Sequence, residues 1–221
     1  MLFDILFTLN SLPFAYKVII FITFSIAVIV ALTSHEFAHA FVAYKLGDDT
    51  PKVAGRLSLN PMVHFDLTGL LCFLFLGFGW AKPVPINSFN FKKIKRDTFL
   101  VSMAGITINL ILAFIFYPIS MLLLNVAWKS EILYALYSLC YYLFSINLVF
   151  MVFNLLPIHP LDGFNAIASQ LSYTNRFVNF MQKYGVIILF VVIIIFSYTD
   201  IFNILVNYIG YPIREFWNLV L

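Results

Sequence analysis

The sequence predicts an all-α polytopic membrane protein: about four transmembrane helices plus an irregular strand or re-entrant region, membrane-embedded or interfacial. Three observations carry this. Hydrophobic residues make up 62% of the 221 and charged residues 10%, where soluble domains carry roughly 25% charged residues. Four apolar stretches, 17–46, 99–127, 132–156 and 184–209, are each longer than the ~20 residues that cross the hydrocarbon core. Between the first two, residues 47–98 are broken by proline, glycine and cations. No linker, repeat or low-complexity tract divides the chain, so 1–221 reads as a single integral-membrane domain.

The elements follow in order. The start, MLFDILFTLNSLPF, lacks the basic n-region and small-residue cleavage site of a signal peptide, so the first span is expected to stay as an anchor. Residues 50–66 and 82–91 read as strand and turn. The apolar run 67–80 is short and glycine-rich, suggesting an element that re-enters or lies at the interface, with a full crossing left open. Irregular backbone at that depth requires protein or a wet cavity to satisfy its polar groups. Cys72 and Cys140 sit in apolar runs without metal-ligand spacing and read as buried thiols. A net charge of +3, carried mainly by local clusters, suggests contact with lipid headgroups of the bilayer on one side, not with nucleic acid. With 67–80 not crossing, only Lys17, Lys129 and Arg214 fall on one side, leaving ten of the 13 Lys and Arg on the other. Cations concentrate in cytoplasmic loops, so that side is expected inside and both termini outside. The KKIKR run at 92–96 reads as a solvated, headgroup-facing cluster, with a lipid or partner site as the sharper alternative.

Ionisable groups inside a span cost about 2.5–3.5 kcal/mol each on insertion scales. The first span nevertheless carries His35-Glu36-Phe37-Ala38-His39, an HExxH motif. Residues four apart share a helix face, so both imidazoles can bind one metal ion, with Glu36 beside them as general base toward water. A helix end with satisfied polar groups is the plainer alternative. Catalytic zinc takes three protein ligands and an open position. NLLPIHPLDG at 154–163 offers Asp162, at the end of a helix running in the same direction as the first. His159 and His64 compete for the role, each otherwise a loop histidine, and Asp162-Gly163 is otherwise a turn. Asp48, Asp49 and Thr50, just past the first span, are placed to line a water path. Asn109 reads as an interhelical hydrogen-bonding group or a substrate contact.

HExxH in an apolar helix with N-x-x-P-x-x-P-L-D-G far downstream resembles the site-2 protease family of intramembrane zinc metalloproteases. SHEFAHAFVAYKLGD, GRLSLNPMVHFD, GFGWAKPVPIN and SMAGITINLILA resemble its compact bacterial branch, which has no PDZ or other accessory domain. The resemblance spans nearly the whole chain. It implies one zinc ion bound by His35, His39 and Asp162, with Glu36 as base, and Asn154 and Pro160 on a substrate-facing loop. It also implies a multi-pass protein of the inner (plasma) membrane, with its active site toward the cytoplasm. Two departures stand out: Ile106 follows Gly105 where the family has proline, and His159 precedes Pro160 where it has a second proline. The expected function is hydrolysis of peptide bonds in membrane-spanning proteins or peptides, for regulated intramembrane proteolysis or signal-peptide clearance. A proton or metal transporter and a catalytically silent zinc-binding scaffold are the rival functions. Oligomeric state is not encoded legibly.

Overall fold

The computed structural model describes residues 12–66, 68–69, 79, 81–172 and 174–221. Helix α1, Phe14–Lys45, starts directly after Pro13, whose carbonyl accepts from Tyr16 and Lys17. Helix α2, Thr50–Val53, is a single turn with Pro51 in its first positions. Helix α3, Ile94–Leu124, contains Pro118. Helix α4, Glu131–Asn154, is capped by Ser130, whose hydroxyl accepts from Leu133 N at 3.2 Å. Short α5, Asp162–Gln170, is followed by α6, Arg176–Tyr198, which Asn175 caps through Phe177 N at 2.9 Å. Helix α7, Ile201–Val220, ends the chain. Four of these, α1, α3, α4 and α6, are long and apolar enough to cross a membrane.

Two expectations differ from what is observed. Residues 184–209, read as one span, contain a break: Thr199 is extended and Asp200 caps α7. The polar run Ser197-Tyr198-Thr199-Asp200 interrupts the apolar stretch, and Thr and Asp favour caps over helix interiors. The strand-and-turn reading of 50–66 and 82–91 reduces, among the described residues, to one antiparallel bridge between Phe65 and Ala81, backed by Lys82 N donating to His64 O at 2.8 Å. Pro61, Pro83 and Pro85 remove the donors a longer ladder needs. What replaces strands are 3-10 turns at Pro61–Val63 and Ser88–Asn90, each capped by an asparagine. The 67–80 element lies outside the described residues except for Thr68, Gly69 and Gly79.

Packing makes α1, α3 and α4 the frame of the site. Phe24, Ala27, Val28 and Ala31 of α1 pack on Leu143 and Ile146 of α4. Ala27 and Ala31 have no exposure, since small side chains bring helix backbones together where lipid supplies no hydrophobic drive. Ile106, Ala113 and Tyr117 of α3 meet Phe144, Leu148, Met151 and Val152 of α4, with Ile213 of α7 closing the cluster. Tyr16 and Tyr134, at the starts of α1 and α4, stack edge-on at 4.8 Å, so these two helices run parallel.

Candidate metal centre

The parallel run of α1 and α4 brings the HExxH turn level with the loop that leaves α4. His35 and His39 are each 6% exposed on one face of α1. Asp162 is the first residue of α5, after the cap residue Leu161. A Cβ on Gly163 would lie 2.3 Å from Leu155 O, so glycine lets this loop fold tightly back on the end of α4 and turn Asp162 inward. On the third side α3 presents bare backbone. A Cβ on Gly105 would stand 2.5 Å from His35 Cε1 and from His39 Nε2.

The donor atoms converge. Nε2 of His35 and of His39 are 3.1 Å apart. Oδ2 of Asp162 is 2.9 Å from the first and 3.1 Å from the second. Tetrahedral ligands 2.0–2.1 Å from a zinc ion stand roughly 3.3–3.4 Å from one another. The triangle is therefore three corners of such a tetrahedron, drawn in by a few tenths of an ångström, and the two-imidazole, one-carboxylate donor set suits zinc. No fourth His, Cys, Asp or Glu joins the cluster among the described residues.

Each histidine is oriented by a partner on its far nitrogen. His39 Nδ1 donates to Val101 O at 2.7 Å. A carbonyl only accepts, so Nδ1 carries the proton and Nε2 keeps its lone pair for a metal. His35 Nδ1 lies 2.6 Å from Asn109 Oδ1, which gives it the same tautomer. Burial pushes the Asp162 carboxyl up, but His39 and His35 beside it hold it well below the usual carboxylate range.

The other expected site residues separate into those at the centre and those elsewhere. Glu36 is half-buried on α1, adjacent to His35. Asn154 donates through Nδ2 to Phe150 O at 3.1 Å at the end of α4, and Pro160 is exposed on the loop. Asn109 is wholly buried, with oxygen and nitrogen both engaged, so it stands behind His35 and does not face a substrate. His159 is edge-on to Phe164 at 5.3 Å and His64 bonds Ser58 O at 2.8 Å; neither joins the donor cluster. Asp48 does not line a water path: it is fully buried and accepts from Thr50, Asn87 and Asn90.

Two residues of consequence were not singled out in the sequence. Asn147 carries the same signal as Asn109, an asparagine inside an apolar span, and is equally buried. Arg56, 5% exposed, ties the two proline-rich segments together by donating to the carbonyls of Val63, Lys82 and Pro83.

Among known proteins, the "Putative zinc metalloprotease YwhC" of Bacillus subtilis is 50% identical over 146 residues, covering 64% of this chain and 66% of YwhC. Rip2 of Mycobacterium tuberculosis, which carries the same description, is 34% identical over 149 residues, 65% of this chain and 55% of Rip2. Rip2 of Mycolicibacterium smegmatis is 30% identical over 173 residues, 75% of this chain and 64% of the relative. The chain thus spans about two thirds or less of the relatives it matches. No family model matches it, and neither does any solved structure. Relatives named for zinc metalloproteolysis and a zinc-sized triangle of donors set between membrane-length helices lead to one assignment: the chain belongs to the site-2 protease family of zinc metalloproteases.

Proposed function

We propose that this chain is a zinc-dependent endopeptidase that cuts peptide bonds of membrane-spanning substrates, with zinc held by His35, His39 and Asp162. The observation that carries it is the triangle of Nε2, Nε2 and Oδ2 atoms, 2.9–3.1 Å on a side, on helices of membrane-spanning length. Zinc bound there supplies Lewis acidity, which makes water acidic enough to lose a proton near pH 7 and polarises a carbonyl. Glu36 takes the proton from the attacking water and passes it to the leaving amine. Burial of both histidines keeps bulk water from competing for the ligand nitrogens. A substrate helix must unwind before its amide is reached. Pro160, exposed on the loop that carries Asp162, and Asn154, whose Oδ1 is not the atom bonded to Phe150, are the nearest candidate contacts for the unwound chain.

The silent scaffold requires a closed fourth ligand. His64 spends Nε2 on Ser58 O and His159 packs on Phe164, which favours an open position. We expect detergent-purified protein to hold about one zinc per chain, with loss in His39→Ala and in Asp162→Asn. Glu36→Gln should keep its zinc and lose on the order of 10²-fold or more in cleavage of a co-expressed single-span substrate. Zinc retained by Asp162→Asn would overturn the ligand set, and cleavage retained by Glu36→Gln would overturn the base.

A further inference from the structure

We propose that Asn147 is a positioning residue of the metal centre: acting through Asn109, it fixes which nitrogen of His35 is left bare to bind the metal. The inference rests on the ligand set proposed above. It follows from a chain of hydrogen bonds in which every direction is forced. Leu143 O, a carbonyl of α4, can only accept, and Asn147 Nδ2 donates to it at 2.7 Å. Asn147 must therefore point Oδ1 the other way, where it accepts from Asn109 Nδ2 at 2.7 Å. The same Asn109 nitrogen also faces Ala31 O of α1 at 3.3 Å, a second fixed acceptor. Asn109 Oδ1 is left to face His35 Nδ1 at 2.6 Å, so that nitrogen must carry the proton. Turning either amide over would set two acceptors against each other inside hydrogen-bonding distance. Both asparagines have zero exposure, so solvent cannot relieve the mismatch.

The relay differs from the arrangement at His39, where one backbone carbonyl does the same work directly. His35 faces a side-chain amide that could in principle present either end, and Asn147, the nearer of the two acceptors on Asn109 Nδ2, does most to remove that freedom, with Ala31 O beside it. Asn109 in turn joins α1, α3 and α4 by side-chain bonds that meet behind His35.

The test is zinc affinity, by chelator competition on detergent-purified full-length protein, with thermal melting of each metal-free form as the folding control. Asn147→Leu should weaken zinc roughly 10-fold or more, the range for loss of a group that orients a ligand. Asn147→Asp, which when protonated at this buried site donates its O–H to Leu143 O and still offers Asn109 an acceptor, should stay within about threefold of wild type. Asn109→Leu combined with Asn147→Leu should bind zinc no more weakly than Asn109→Leu alone, because Asn147 acts only through Asn109. An Asn147→Leu protein that folds and binds zinc like wild type overturns the inference, as does an additive double variant. Wild-type affinity in His35→Ala would instead show that the ligand set itself is wrong.

Discussion

Gly105 sits where a single methyl group decides whether the centre can hold a metal. The Cβ of an alanine there would lie 2.5 Å from His39 Nε2 and 2.6 Å from His35 Nε2, inside the space an ion must occupy. α3 cannot easily retreat, because Val101 O on the same helix holds His39 and Ile106 is locked in the α3–α4 core. Gly105→Ala is therefore expected to cost about 1–3 kcal/mol by overpacking. It should also leave less than half the zinc per chain that wild type holds at equimolar supply, read by metal analysis beside a metal-free melt. Wild-type zinc content would mean that α3 yields. The three donors that converge were legible in the sequence, since HExxH brings two of them together by helical spacing and the parity of the spans brings Asp162 level with them. The role of Asn109 was only half legible. Its partner Asn147 is 38 residues away, and which faces of two helices meet is set by packing that no local spacing records.

At the scale of elements, the loops beyond α1 are organised by buried polar staples where strands were expected. Asp48 accepts from Thr50 N and Oγ1, Asn87 N and Asn90 Nδ2, at 2.5–3.1 Å, and so binds the end of α1 to the turn before α3. Burial pushes its carboxyl up, but the bonds from Thr50, Asn87 and Asn90 outweigh that and hold it below the ordinary value. A carboxyl depressed by folding stabilises above its unfolded pKa, about 3.9, and loses that contribution as pH falls through the lower folded value. Hydrogen exchange over residues 84–91 should thus stay protected at neutral pH and lose protection only below about pH 4. In Asp48→Ala the protection should already be reduced at pH 7, with roughly 1–3 kcal/mol lost for donors left buried without an acceptor. Protection at pH 7 unchanged by the substitution would show that Arg56, with its bonds to Val63, Lys82 and Pro83, suffices to hold the region. The prolines that prevented a ladder were visible in the sequence, but such staples join residues about 40 apart and leave no periodic trace. The break at Thr199–Asp200 was legible as four polar residues and was outweighed by the apolar run on either side.

At the scale of the whole molecule, both described ends of the chain lie away from the metal centre. The start of α1 meets the start of α4 through Tyr16 and Tyr134. Near the C-terminus, Trp217 Nε1 donates to Phe114 O at 3.0 Å and Asn218 Oδ1 accepts from Tyr117 at 3.2 Å, in the half of α3 remote from Gly105. The exposed cations Lys92, Lys93, Lys95 and Arg96 gather instead at the opening of α3, at the end where α1 finishes. An even number of crossings by α1, α3, α4 and α6 is consistent with termini on a common side. We propose that retention of these cations in the cytoplasm orients the molecule, with the centre toward the inside and Leu221 outside. Alkaline phosphatase fused after Leu221 should be active and a fluorescent protein at the same point dark, whereas a fluorescent protein fused after Lys95 should shine. Reversing the charges of Lys92, Lys93, Lys95 and Arg96 together should erode that preference if they orient the chain, while the metal centre, built from other residues, keeps its zinc. A fluorescent fusion after Leu221 in the wild-type chain would place the C-terminus inside, and would require α7 to cross the bilayer as a fifth span or α6 not to cross it at all.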